Sequence, residues 1–169
     1  MTETTSSSPT DAERHRQKFT SWLIDEGYSI SSLDAEDATW LVRAEDPAKR
    51  VLVVGQKPQR PDMLIFQATV NVSEQHTKKV AALQEPLRRD FLTDLALTLL
   101  TIGVDFSGVG HPFQRVQLTE HLHLDGLDRN RFIDTIRKLR HGILAVQLSI
   151  AKKVAEPPPE TTGEGMAVH

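Results

Sequence analysis

The apolar positions of the chain change period several times, and each change marks an element. Between Asp11 and Gly27, Phe19, Trp22 and Leu23 fall at i, i+3 and i+4 among polar residues, which predicts a helix with one narrow apolar stripe. Gly27 suits the position just past its C-terminus, where left-handed backbone is favoured. The pattern then shortens to runs of branched and aromatic residues. It is weak from Tyr28 to Leu33, then clear in ATWLVRA over 38–44, RVLVVGQ over 50–56 and MLIFQATVNV over 63–72. Asp46-Pro47 and Lys57-Pro58-Gln59-Arg60-Pro61 punctuate these runs. The spacing predicts an antiparallel meander of three or four strands.

Ser73 is placed to cap a short helix reaching Leu83, and Pro86 suits the first turn of the next, where its missing N–H has no partner to lose. Leu87, Phe91, Leu95, Leu99 and Ile102 climb that helix, with Leu92, Ala96 and Leu100 widening the stripe enough to predict burial against a sheet. Gly103 ends it. Val104 to Val109 and Arg115 to Leu124 predict two further strands. From Asp128 to Val154 the residues Phe132, Ile136, Leu139, Ile143, Val146 and Ile150 recur like a heptad seam. A helix of that length, ~40 Å at ~1.5 Å per residue, is expected to overhang a small sheet and to need another partner for part of its stripe. The predicted class is α+β. Five or six antiparallel strands are covered by helices in the order α-β-β-β(-β)-α-β-β-α.

Composition narrows the setting. The 169 residues suit one domain over residues 11–154, flanked by a Ser/Thr-rich tail at 1–10 and a proline-rich tail at 155–169, both expected to be disordered. No cysteine is present, which excludes disulfides, thiol nucleophiles and iron–sulfur ligation and points to the cytoplasm. The start MTETTSSSPTDAERH lacks the cationic and apolar regions of a secretory signal, and no apolar run approaches the ~20 residues of a membrane span. A net charge of -3 makes the whole molecule a poor polyanion binder.

Candidate chemistry concentrates in TEHLHLDG, residues 119–126. On a strand, Val116, Leu118, Glu120, Leu122 and Leu124 share one face, and Arg115, Gln117, Thr119, His121 and His123 the other. Two histidines at this spacing are able to chelate a metal, and with Glu120 they form the metal-site or hydrolase alternative. The uniformly polar company of His121 and His123 favours a solvent-facing strand instead, with no cofactor. Glu120 stands at an apolar-face position and so calls for a salt bridge, to Arg43 or to an arginine of the last helix. The segment GVDFSGVG over 103–110 follows a helix and precedes a strand, the reverse of a phosphate cradle. The last helix carries Arg129, Arg131, Arg137, Lys138, Arg140, Lys152 and Lys153 against Asp134 alone, which raises nucleic-acid binding as a second alternative. These charges spread around the helix without an aromatic platform, so a solvated or partner-facing surface is preferred.

The element order looks like the fold of type III secretion chaperones, in which helices cover a small antiparallel sheet and the second helix commonly lies in a dimer interface. FTSWLID over 19–25, LIFQATVNVSEQHTKKVAAL over 64–83 and FLTDLALTLLTIGVDF over 91–106 resemble an uncharacterised prokaryotic family, domain of unknown function 2299. The resemblance implies a chaperone-like scaffold and brings no catalytic signature. The resulting expectation is a non-enzymatic cytoplasmic protein that binds itself, as a homodimer, and an unidentified polypeptide. Self-association is expected through Phe91, Leu95, Leu99, Ile136, Leu139, Ile143 and Val146, without membrane or nucleic-acid contact.

Overall fold

A computed structural model describes residues 10–155. The tail expectations for residues 1–9 and 156–169 lie outside the described residues. Helix α1, Asp11–Asp25, opens with a reciprocal cap: the Thr10 hydroxyl accepts the Glu13 N–H, and the Glu13 carboxylate accepts the Thr10 N–H. Four strands follow: β1 Ser29–Leu33, β2 Trp40–Glu45, β3 Val51–Lys57 and β4 Arg60–Asn71. Then come α2 Glu74–Ala81, α3 Glu85–Ile102, β5 Asp105–Ser107, β6 Arg115–His123 and α4 Arg129–Ala155. The six strands form one sheet in the order β1-β2-β3-β4-β6-β5, with every neighbouring pair antiparallel.

The α+β expectation holds, with two differences. β5 has three residues rather than the stretch from Val104 to Val109. Val104 is already in the core, and at Gly108 (φ +84°) the chain turns so tightly onto β6 that a Cβ there would lie 2.0 Å from the Arg115 carbonyl oxygen. The second difference concerns α4, whose stripe needs no partner from outside the chain. Phe132 lies on Phe66 and Ile143 reaches the end of β4 near Val70 and Asn71, so the later turns of α4 are covered by α2 and α3. Phe132, Ile136, Leu139, Ile143, Val146 and Ile150 are therefore all buried within the chain.

The helices make a single layer. α1 packs on β1 and β2, α4 on β4 and β6, α3 against α4 and β5, and α2 against α4. Beneath them lie Val42, Leu52, Val54, Leu64, Phe66 and Leu118, all on one face of the sheet. Phe132 joins the layers, stacked on Phe19 and edge-on to Phe66 with ring centres 5.3 Å away in each case. Gly142 lets α4 settle onto β6, since a Cβ there would lie 2.8 Å from Leu118 Cδ1. Inside this apolar core Trp40 Nε1 donates to Gln56 Oε1 at 3.0 Å. The alternate strand residues, among them Leu41, Val53, Ile65, Gln67 and Thr119, are only half-buried and have no helix layer over them. Among the described residues, no helix is long and apolar enough to cross a membrane.

Candidate functional site

Among the described residues, four of the five exposed large apolar side chains lie on α3 and α4. Pro86 starts α3, and Gly103 ends it in left-handed backbone at φ +80°. The two helices run antiparallel. At one end Lys138 Nζ donates to the Gly103 carbonyl oxygen at 3.0 Å; at the other, Ser149, Lys152 and Lys153 of α4 face Leu87 and Asp90 of α3 across a groove of about 240 Å³. Phe91 and Leu95 form its floor, Asp90 and Asp94 one wall, Lys152 and Lys153 the other. Beyond it Leu97 (55%), Leu100 (63%), Leu144 (37%) and Leu148 (67%) point into solvent. The groove thus has an apolar floor between an acidic and a basic wall.

The seven residues expected to self-associate are placed otherwise. Phe91 and Leu95 floor the groove, while Leu99, Ile136, Leu139, Ile143 and Val146 are sealed between helices and sheet. Contact with another chain through those five would require opening the core, because the sheet already covers them. The solvent-facing positions are instead Leu97, Leu100, Leu144 and Leu148, one or two residues away along the same helices. Leu100 belonged to the broad predicted stripe of α3; nothing in its spacing told inward from outward leucines.

The strand alternation of β6 placed His121 and His123 correctly on the uncovered face. Both are exposed; His123 Nδ1 lies 3.5 Å from Asp62 Oδ2, and His121 stands opposite Ile65. Among the described residues, no group of three or more side chains able to hold a metal occurs. Glu120 points to the helix layer, as its position required, but its partner is a lysine. Lys138 Nζ of α4 lies 3.1 Å from both carboxylate oxygens, so neither Arg43 nor an arginine of α4 plays that part.

The sequence model of an uncharacterized conserved protein family, DUF2299, matches residues 15–150, from α1 through nearly all of α4. The chain belongs to this family. The crystal structure of an uncharacterized protein from Methanothermobacter thermautotrophicus is similar to this DUF2299 chain at 26% identity and a TM-score of 0.76, covering 82% of this chain and 97% of that one. No curated protein matches it.

In this DUF2299 chain the basic residues of α4 are largely engaged from within. Arg129 lies 3.2 Å from both Asp25 and Glu26, Arg137 pairs with Asp134 at 2.6 Å, and Lys138 pairs with Glu120. Arg140 approaches Asp46 at 3.8 Å, next to Arg50 at 2.7 Å. Asp46 sits buried in the β2–β3 turn. Burial pushes its carboxyl up, but hydrogen bonds from the Arg50 backbone N–H and guanidinium outweigh that and hold it below its ordinary value. Several of the basic residues that raised the nucleic-acid alternative thus tie α4 to α1, the β2–β3 turn and β6.

Proposed function

We propose that this protein is a non-enzymatic, chaperone-like scaffold that acts as a homodimer and holds an apolar segment of a polypeptide partner on the outer face of α3 and α4. The observation that carries the reading is the set Leu97, Leu100, Leu144 and Leu148, exposed on two adjacent helices beside a groove floored by Phe91 and Leu95. Exposed leucines are costly to hydrate, and an apolar partner segment reaching them from the groove would cover them. The walls add orientation, since an acidic side on α3 and a basic side on α4 suit a segment with charges of both signs at its flanks.

The other two readings receive less support. Glu120 is occupied by Lys138, and His121 and His123 stand on the opposite face of the sheet. The cations of α4 are mostly paired within the chain, which weakens the case for nucleic acid. Hydrogen exchange with and without a permanently unfolded polypeptide tests the proposal. Added protection confined to α3 and α4 is expected; protection on the histidine face instead contradicts it.

A further inference from the structure

The two edges of the sheet are finished differently. β5 has three residues and ends at the Gly108 turn, and so short an edge resists an added strand. β1, Ser-Ile-Ser-Ser-Leu, has no charge and no proline, and its register with β2 runs unbroken from Ser29↔Glu45 to Leu33↔Leu41. The Asp46 N–H bonds to the Arg50 carbonyl oxygen, so the even-numbered residues of β2 face β3 and the odd-numbered ones face β1. By the same alternation, the N–H and C=O groups of Ile30 and Ser32 point outward from the edge.

The helix layer above β1 is also incomplete. One flank of α1 meets α4, with the Trp22 and Phe132 rings 5.3 Å apart. On the opposite flank Arg16 donates to Ser32 of β1, and Gln17, Thr20, Ser21 and Ile24 line an open depression of about 530 Å³. Ile24 is 56% exposed. Thr20 Oγ1 is shielded from solvent but has no hydrogen-bond partner among the described residues.

We propose that a second copy of this chain completes both layers, β1 pairing antiparallel with β1 about a two-fold axis at Ser31. Ser31 then faces Ser31, and Ile30 of each copy exchanges backbone hydrogen bonds with Ser32 of the other. A free peptide satisfies the strand edge but leaves the flank of α1 bare; a second copy covers it. Because α1 lies over β1 and β2, the two α1 helices come two strand spacings apart, ~10 Å, near the ~8–10 Å at which helices pack. Arg16 sits over Ser32 and the α1–β1 turn begins at Asp25, so Thr20 falls about level with the axis and meets its own copy. Arg16 comes level with Ile24 and Asp25 of the other copy, which joins unlike charges. The inference rests on the homodimer half of the proposed function. It places the contact at the far end of the sheet from α3, leaving both grooves open.

The chain has no cysteine, so a single introduced one reports cleanly. Ser31→Cys puts two sulfurs on directly opposed residues with Cα atoms ~4.5 Å apart, within the ~4.4–6.8 Å that a disulfide spans. Native mass spectrometry of the wild type and non-reducing mass analysis of the oxidised variant are the readouts. A wild-type dimer, near-complete linkage of Ser31→Cys and no linkage of Ser107→Cys on β5 are expected. Ser32→Pro, where the N–H faces outward and proline is tolerated, and Ile24→Glu should each weaken the dimer at least tenfold with unchanged far-ultraviolet circular dichroism. A dimeric wild type whose Ser31→Cys stays unlinked and whose Ile24→Glu stays dimeric overturns this inference alone. A wild type monomeric at every concentration overturns the homodimer as well.

Discussion

Glu120 of β6 and Lys138 of α4 are joined at 3.1 Å, and the same lysine holds the carbonyl oxygen of Gly103 at the end of α3. Glu120 is the more buried partner, lying in a row with Val116, Leu118 and Leu122. Removing the two partners should therefore have unequal effects. Lys138→Met strands a shielded carboxylate and is expected to cost about 1–3 kcal/mol, whereas Glu120→Leu extends an apolar row and should cost under about 1 kcal/mol. Denaturant melts of the two variants measure this; equal losses would mean that the pair contributes as an ordinary surface bridge.

Asp46 should set part of the acid limb of stability. Its folded pKa is depressed relative to an ordinary aspartate, so its contribution is present above the unfolded value of 3.8 and is lost as pH falls through the folded one. Asp46→Asn is expected to destabilise the protein at neutral pH by about 1–3 kcal/mol and to flatten the loss below pH ~4. Parallel stability curves for variant and wild type between pH 2 and pH 6, about two units either side of that limb, would show that the Arg50 contacts are not coupled to folding.

Gln56 is a buried amide in an apolar core, accepting from Trp40 Nε1 and donating to the Pro61 carbonyl oxygen. Gln56→Leu fills the space yet leaves the indole N–H and the carbonyl unpaired, so a loss of about 1–3 kcal/mol is expected by thermal unfolding. A melting temperature equal to wild type would mean that water reaches both groups.

Inward and outward apolar residues of α4 should separate cleanly. Leu139→Asp buries a charge and is expected to unfold the chain rather than to dissociate a folded dimer. Leu148→Asp, on an exposed residue, should leave stability within about 0.5 kcal/mol of wild type. Circular dichroism and native mass of the two variants distinguish the outcomes, and a folded Leu139→Asp monomer would contradict the burial.

The element boundaries were legible where a local residue type forces them. Gly27 and Gly103 past the ends of α1 and α3, Ser73 before α2 and Pro86 in the first turn of α3 all fall where their backbone preferences place them. Strand alternation was equally informative, setting Glu120 toward the helices and His121 and His123 away from them. The candidate site was less legible. Leu99 and Leu100 both fell on the predicted stripe of α3, and only the position of α4 and the sheet decides that the first is buried and the second exposed. The Lys138 contact joins residues 18 apart through the packing of α4, which no local pattern records. Likewise, the open edge at β1 follows from strand order rather than from the sequence Ser-Ile-Ser-Ser-Leu.

The central claim, that the outer face of α3 and α4 holds a polypeptide, is tested most directly by titrating a fluorescently labelled, permanently unfolded polypeptide into wild type and into Leu97→Glu/Leu148→Glu. Both positions are exposed, so the double variant should fold normally. Saturable binding by the wild type and a loss of at least tenfold in affinity for the double variant, roughly 1.4 kcal/mol or more, is the expected result. Absence of binding by the wild type, or equal affinity in a folded double variant, contradicts the claim.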